Sequence, residues 1–174
     1  MEAFIQLEGK SQYEGSIHPG LQGSACGPVT MAVILEYHEG NEIGIDEFYR
    51  ALGSSRIGSF KWRLIRRLRR LLGPRYRIDE ARTLDEVKQE LVAGRPVAMK
   101  FDKHFSFHWF QKPMYRYHWV PLIGFREEPG TEDITLIFHD NGGRGRKSRV
   151  RSASWNKNKD VLSFIRIIPL RQPH

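Results

Sequence analysis

The chain has one cysteine, Cys26, and it falls where a helix should begin. The stretch 22–37 reads Gln-Gly-Ser-Ala-Cys-Gly-Pro-Val-Thr-Met-Ala-Val-Ile-Leu-Glu-Tyr. Ser24 suits an N-cap, Pro28 is tolerated in a first turn whose N–H groups lack intrahelical partners, and Glu39-Gly40-Asn41 supplies a stop. A thiol in that first turn meets free N–H groups and the positive end of the helix dipole, which favour the thiolate and so suit a nucleophile. A lone cysteine is more often a small buried hydrophobe, so its neighbourhood has to decide. Segments 117–125 and 134–139 read as adjacent antiparallel strands joined by a turn at Pro129-Gly130. His118 starts the first strand and Asp140 ends the second. Both therefore come out on one edge of the sheet, where a carboxylate can orient an imidazole.

The elements that must hold these groups follow from periodicity and punctuation. Only Thr30 interrupts the apolar residues from Val29 to Leu35, so the cysteine helix should be buried on most sides. Residues 1–21 read as an extended arm leading into it. Asp46 caps a short helix to residue 52, which Gly53 ends. After a loop at 54–59, Phe60, Leu64, Ile65, Leu68, Leu71 and Leu72 take one face of a helix, with arginines on the other, and Gly73-Pro74 stops it. Thr83 and Glu86 form a capping box for a helix to residue 93, followed by a strand at 96–101 and a final strand at 161–168. Between them, 102–117 is an aromatic loop in which Lys112-Pro113 breaks any alternation. Its His108 and Trp109, with Trp119 beside the histidine, are expected at a substrate cleft. His104 and His108 are four apart, but no carboxylate or thiol motif accompanies them, so neither a metal nor another cofactor is expected.

The run around Cys26 resembles the nucleophile helix of papain-like cysteine peptidases of the C39 type, which process double-glycine leader peptides of bacteriocins or occur as stand-alone bacterial domains. In the same order, Gly94-Arg95-Pro96-Val97 looks like that family's entry into its first core strand, 118–125 like its histidine strand, and 139–143 like its aspartate turn. The resemblance spans about 22–143. It implies an α+β, papain-like fold in which the cysteine helix packs on an antiparallel sheet of 96–101, 117–125, 134–139 and 161–168, with helices 46–52, 60–72 and 84–93 on the cysteine-helix side. It also implies a Cys26, His118 and Asp140 triad working as a thiolate–imidazolium pair, with the thiol titrating well below its free value of about 8.5. The family supplies an oxyanion-hole glutamine six positions before the cysteine, where this chain has Gly20. Gln22 is the first choice for that role, and Gln12 the second if the arm folds back. Asn141 rivals Asp140, because other papain-like enzymes orient the histidine with asparagine. Pro121 interrupts the histidine strand, which should be at an edge or bulged.

The chain of 174 residues, 40% hydrophobic, fits one globular domain over 1–174. No apolar run approaches the roughly 20 residues of a membrane span, and no signal peptide is visible, so a cytoplasmic home is the default, with secretion by another route left open. The net charge of +8 is segregated: 61–77 carries +8, 144–159 carries +7, and the rest sums to −7. Such a distribution suits an anionic partner, met through Arg66, Arg67, Arg69 and Arg70, or else a merely solvated face. Three function classes are open: a thiol peptidase or amidase acting on a peptide or protein, a papain-fold acyltransferase, and a binding module whose cysteine is incidental.

Overall fold

In the computed structural model, which describes residues 1–104 and 112–170, helix α2 (Cys26–Glu39) follows the one-turn helix α1 (Pro19–Gln22). Every residue from Cys26 to Leu35 is buried, as their composition demands, and Gly40 ends the helix in the left-handed conformation, φ 73°. The cap differs from expectation. Ala25 holds the N-cap position, and the Ser24 hydroxyl instead bonds the Tyr49 hydroxyl at 2.7 Å. Asp46 likewise lies inside α3 (Ile45–Ala51), where its carboxylate accepts from the His18 N–H.

Among the described residues seven strands form one sheet, antiparallel at every pairing. They are β1 (Glu2–Phe4), β2 (Tyr76–Ala81), β3 (Val97–Asp102), β4 (Tyr117–Glu127), β5 (Ile134–His139), β6 (Val150–Ser154) and β7 (Leu162–Pro169). The order is β2-β7-β3-β4-β5-β6, with β1 beside the far half of β4. The four expected strands are its centre. β1, β2 and β6 are additions at its margins, β1 from the segment read as an arm, β6 from the basic tail, and β2 from a stretch not read as any element. Pro121 sits in the interior strand β4, opposite Ala98, and the ladder to β5 slips between Leu122 and Gly124, so the strand is bulged and not at an edge.

Alternation along β4 sends Trp119 to one face and Val120 to the other. On the first face Cys26, Leu35, Leu64, Leu68, Trp119 and Ile165 pack together, which seats α2 and the amphipathic helix α4 (Lys61–Leu72). Each fully buried leucine there contributes about 2 kcal/mol. The second face packs Phe101, Val120, Leu122 and Phe138 against Val87 and Leu91 of α5 (Leu84–Val92). Helix α5 is thus on the side away from the cysteine helix, against expectation. The reason is β2, which intervenes between α4 and α5 and takes the chain across the sheet edge. Half of the predicted capping box forms: Thr83 accepts from the Glu86 N–H at 3.2 Å, while the Glu86 carboxylate reaches one residue past the cap to the Arg82 N–H. No described helix is long and apolar enough to cross a membrane.

Candidate active site

Helix α2 presses its N-terminal tip against β4. Gly27 admits the Ser59 side chain on the loop side of that tip, because a Cβ there would come within 2.6 Å of the Ser59 hydroxyl. Asn141, in the left-handed conformation at φ 56°, holds the junction from the other side. Its amide donates to the Trp119 carbonyl at 2.7 Å and the Thr30 hydroxyl at 2.9 Å, with the Cys26 carbonyl at 3.3 Å. Beside the tip lies a cavity of about 330 Å³ whose lining includes Cys26, His118, Gln12, Tyr117, Asp140 and Arg146.

His118 and Asp140 meet at the expected sheet edge, but through the main chain. The imidazole Nε2 is 2.9 Å from the Asp140 carbonyl oxygen. A carbonyl only accepts, so Nε2 carries the proton and Nδ1 keeps a lone pair, the state a general base requires. The carboxylate is occupied elsewhere: Oδ1 accepts from the N–H groups of Gly142 at 3.0 Å and Arg149 at 2.9 Å, and Oδ2 faces Arg146 Nη1 at 2.9 Å. This corrects the expected carboxylate-to-imidazole bond. The turn leading into β6 has amides of its own to satisfy, and the carboxylate, in a residue 2% exposed, satisfies them. Burial alone would push the Asp140 carboxyl up, but the Arg149 and Gly142 amides and the Arg146 guanidinium outweigh it and hold the carboxyl below its ordinary range.

Burial shifts both Cys26 and His118. Cys26 is 4% exposed, and its desolvation pushes the thiol up, against the opposing pull of the Trp119, Gly27 and Cys26 amides and the Lys100 charge. Desolvation also pushes His118 down, opposed by the Asp140 carbonyl and carboxylate. Burial thus works against the expected thiolate–imidazolium pair at both groups, because protein rather than water encloses the helix tip. Lys100 lies under the same floor, buried and paired with Asp102 at 2.7 Å, with its ammonium 5.0 Å from the Tyr117 ring centre.

The other expected site residues divide. Gln22 does not line the cavity, and its amide donates to the carbonyls of Glu14 at 3.2 Å and Ile17 at 2.9 Å. Gln12 takes its place. The arm folds back so that the Gln12 N–H bonds the Asn141 carbonyl at 2.9 Å, while its buried side chain reaches the cavity with one amide hydrogen committed, to the Gln22 carbonyl. The Asn141 amide faces the cysteine helix and Trp119 and does not bond His118. Trp119 is wholly buried and donates its indole N–H to the Ser59 carbonyl at 3.1 Å, so it is core and not cleft wall. His108 and Trp109 lie outside the described residues. Among the described residues no three His, Cys, Asp or Glu side chains gather as metal ligands would.

One contributor is invisible in the sequence. The Tyr117 hydroxyl accepts from the Ser59 N–H at 2.7 Å and donates to the Ser59 carbonyl at 3.0 Å, pinning loop 53–60 over the helix tip. Gly58 makes room for that hydroxyl, which a Cβ would approach to 2.3 Å, and its φ of 105° suits glycine alone. The pinned loop sets Arg56 and Ile57 on the cavity wall. Only the glycine beside a serine hinted at a turn there, and nothing local pairs it with a tyrosine in β4.

No protein family matches the chain by sequence, and no curated protein does. Solved structures do match in shape. The peptidase domain of Streptococcus ComA, described as a bi-functional ABC transporter involved in a quorum sensing pathway, superposes with a TM-score of 0.60 at 13% identity, over 95% of this chain and 100% of that one. UfSP from C. elegans superposes with a TM-score of 0.60 at 12% identity, over 99% of this chain and 35% of that one. With a buried cysteine helix packed on an antiparallel sheet, the chain has the α+β fold of the papain-like cysteine peptidases.

Proposed function

We propose that the protein is a thiol-dependent hydrolase of peptide or amide bonds, a relative of the C39-type peptidases. The observation that carries this reading is the bond from His118 Nε2 to the Asp140 carbonyl, which leaves Nδ1 as the basic nitrogen in the cavity that Cys26 also lines. As the Cys26 sulfur attacks the substrate carbonyl carbon, its proton passes to His118 Nδ1. The carbonyl becomes an oxyanion, met by the Cys26 main-chain N–H and by the uncommitted Gln12 amide hydrogen, each donor contributing roughly 3 kcal/mol. The imidazolium is stabilised by the Asp140 carbonyl and gives its proton to the departing amine. Water, deprotonated by His118, then hydrolyses the thioester and restores the thiol. The likeness to the streptococcal peptidase domain supports this reading.

The test is a peptidyl acyloxymethyl ketone followed by intact mass. Wild type should gain one peptidyl adduct at Cys26 at pH 7.5, Cys26→Ala none, and His118→Ala at least 100-fold more slowly. Simple alkylation by iodoacetamide, by contrast, should be slow at pH 6 and rise toward alkaline pH, because burial pushes the Cys26 thiol up. Equal ketone labelling in wild type and His118→Ala would remove the base from the reading.

A further inference from the structure

Loop 53–60 leads from the cleft to a cluster of arginines on α4. Arg56 stands exposed on the cavity wall. At the base of the loop, Arg63 donates to the Gly53 carbonyl at 3.0 Å, and a Cβ on Gly53 would lie 3.6 Å from the Arg67 Nε. The loop thus rests on the arginine face of α4. Along that face Arg66, Arg67 and Arg70 are exposed and make no ion pair or hydrogen bond among the described residues. The nearest acids are already engaged, Asp79 by Arg166 and Arg77, and Glu80 by Lys61. Three side-by-side guanidinium groups with no protein counter-charge raise the local anion concentration.

We infer that this surface is an exosite for an acidic segment of a polypeptide substrate whose scissile bond lies at Cys26. The inference rests on the hydrolase reading. Continuity with the cleft selects a polypeptide as occupant, since one chain can then fill both. A bilayer fits less well: Trp62 and Leu71, the exposed large apolar residues of α4, are nine positions apart and so half a turn out of phase, which leaves no apolar stripe to insert. The second basic segment, 144–159, reaches the same cavity through Arg146 but runs on into β6, at the opposite sheet margin from β2 and α4.

The test uses full-length Cys26→Ala protein and fluorescein-labelled deca-glutamate, read by anisotropy at 25 and 150 mM salt. Binding should weaken at the higher salt, and adding Arg66→Gln, Arg67→Gln and Arg70→Gln should weaken it by about 10-fold at 25 mM with the melting temperature unchanged. In wild type, a peptidyl ketone carrying a deca-glutamate extension should label Cys26 about 10-fold faster at 25 mM salt than the bare ketone. The triple variant should lose that advantage while keeping the bare rate. Failure of deca-glutamate to bind, or equal binding by the triple variant, overturns the exosite even if the bare ketone labels normally. Failure of both ketones with intact arginine-dependent binding overturns the hydrolase reading instead. Tighter binding of a charge-matched DNA duplex or of phosphatidylserine vesicles than of the peptide overturns the acidic polypeptide as occupant.

Discussion

Replacing Asp140 by asparagine separates two roles that a conventional triad combines. Where a carboxylate orients the histidine, the same change costs about 10⁴ in kcat. Here the acceptor of the His118 Nε2 proton is the main-chain carbonyl, which the substitution leaves in place. The asparagine oxygen can still accept from Gly142 and Arg149, so the turn persists. What is lost is a negative charge that Arg146 already largely balances. Its removal should destabilise the imidazolium by about 1 kcal/mol, a fall of roughly fivefold to tenfold in kcat. The stability cost should be about 1–3 kcal/mol, since the amide bonds lose their charge assistance and Arg146, 32% exposed, can turn to water. Asp140→Ala gives up the turn amides as well and should cost about 3–5 kcal/mol, taking the carbonyl out of position with it. The assay is single-turnover ketone labelling beside thermal melting. A loss of 10³ or more in Asp140→Asn, at a nearly unchanged melting temperature, would show that the carboxylate itself acts on His118.

Gln12→Ala should lower kcat by about 10² to 10³ with little change in substrate affinity, whereas Gln22→Ala should leave kcat within a few-fold; steady-state kinetics that reverse the order would restore Gln22 to the oxyanion hole. Tyr117→Phe removes both loop bonds to Ser59 and should raise KM several-fold while costing about 1–2 kcal/mol in chemical denaturation; a wild-type KM would mean the loop is held by other contacts. Burial holds His38, His118 and His139 below their ordinary 6.5. Between those lowered values and 6.5 the unfolded chain binds more protons, so stability should be level from pH 7 to 8 and fall as pH drops below 6.5. Melting temperatures that hold constant from pH 6.5 to 5 would contradict this. The Asp140 carboxylate adds a separate loss only below its ordinary 3.8.

What could be read from the sequence was what repetition and punctuation report. An apolar run announces α2, and two strands with a Pro-Gly turn announce the hairpin that brings His118 and Asp140 to one edge. The marginal strands hid because their charges obscure alternation. In β2, Asp79 reaches across to Arg166 of β7, so a charged residue occupies a paired strand. Gln12 and Gln22 could not be ordered by distance along the chain, since the deciding contact, from the Gln12 N–H to the Asn141 carbonyl, joins opposite parts of the sequence. The histidine's acceptor was beyond reach for a simpler reason. Every residue has a carbonyl, so no residue type marks the one that is used. The directions in which Cys26 and His118 are shifted likewise depend on how tightly the helix tip is enclosed, which only packing determines.

Asn141 has a consequence for how the molecule comes apart. One amide group bonds the second turn of α2 through Thr30 and the main chain of β4 through Trp119. The tip that carries Cys26 and the strand that carries His118 therefore cannot part without breaking one arm of this bridge inside the core. Their main-chain amides should exchange with deuterium together, at the free energy of global opening. On heating, the site should then fail with the core and not before it.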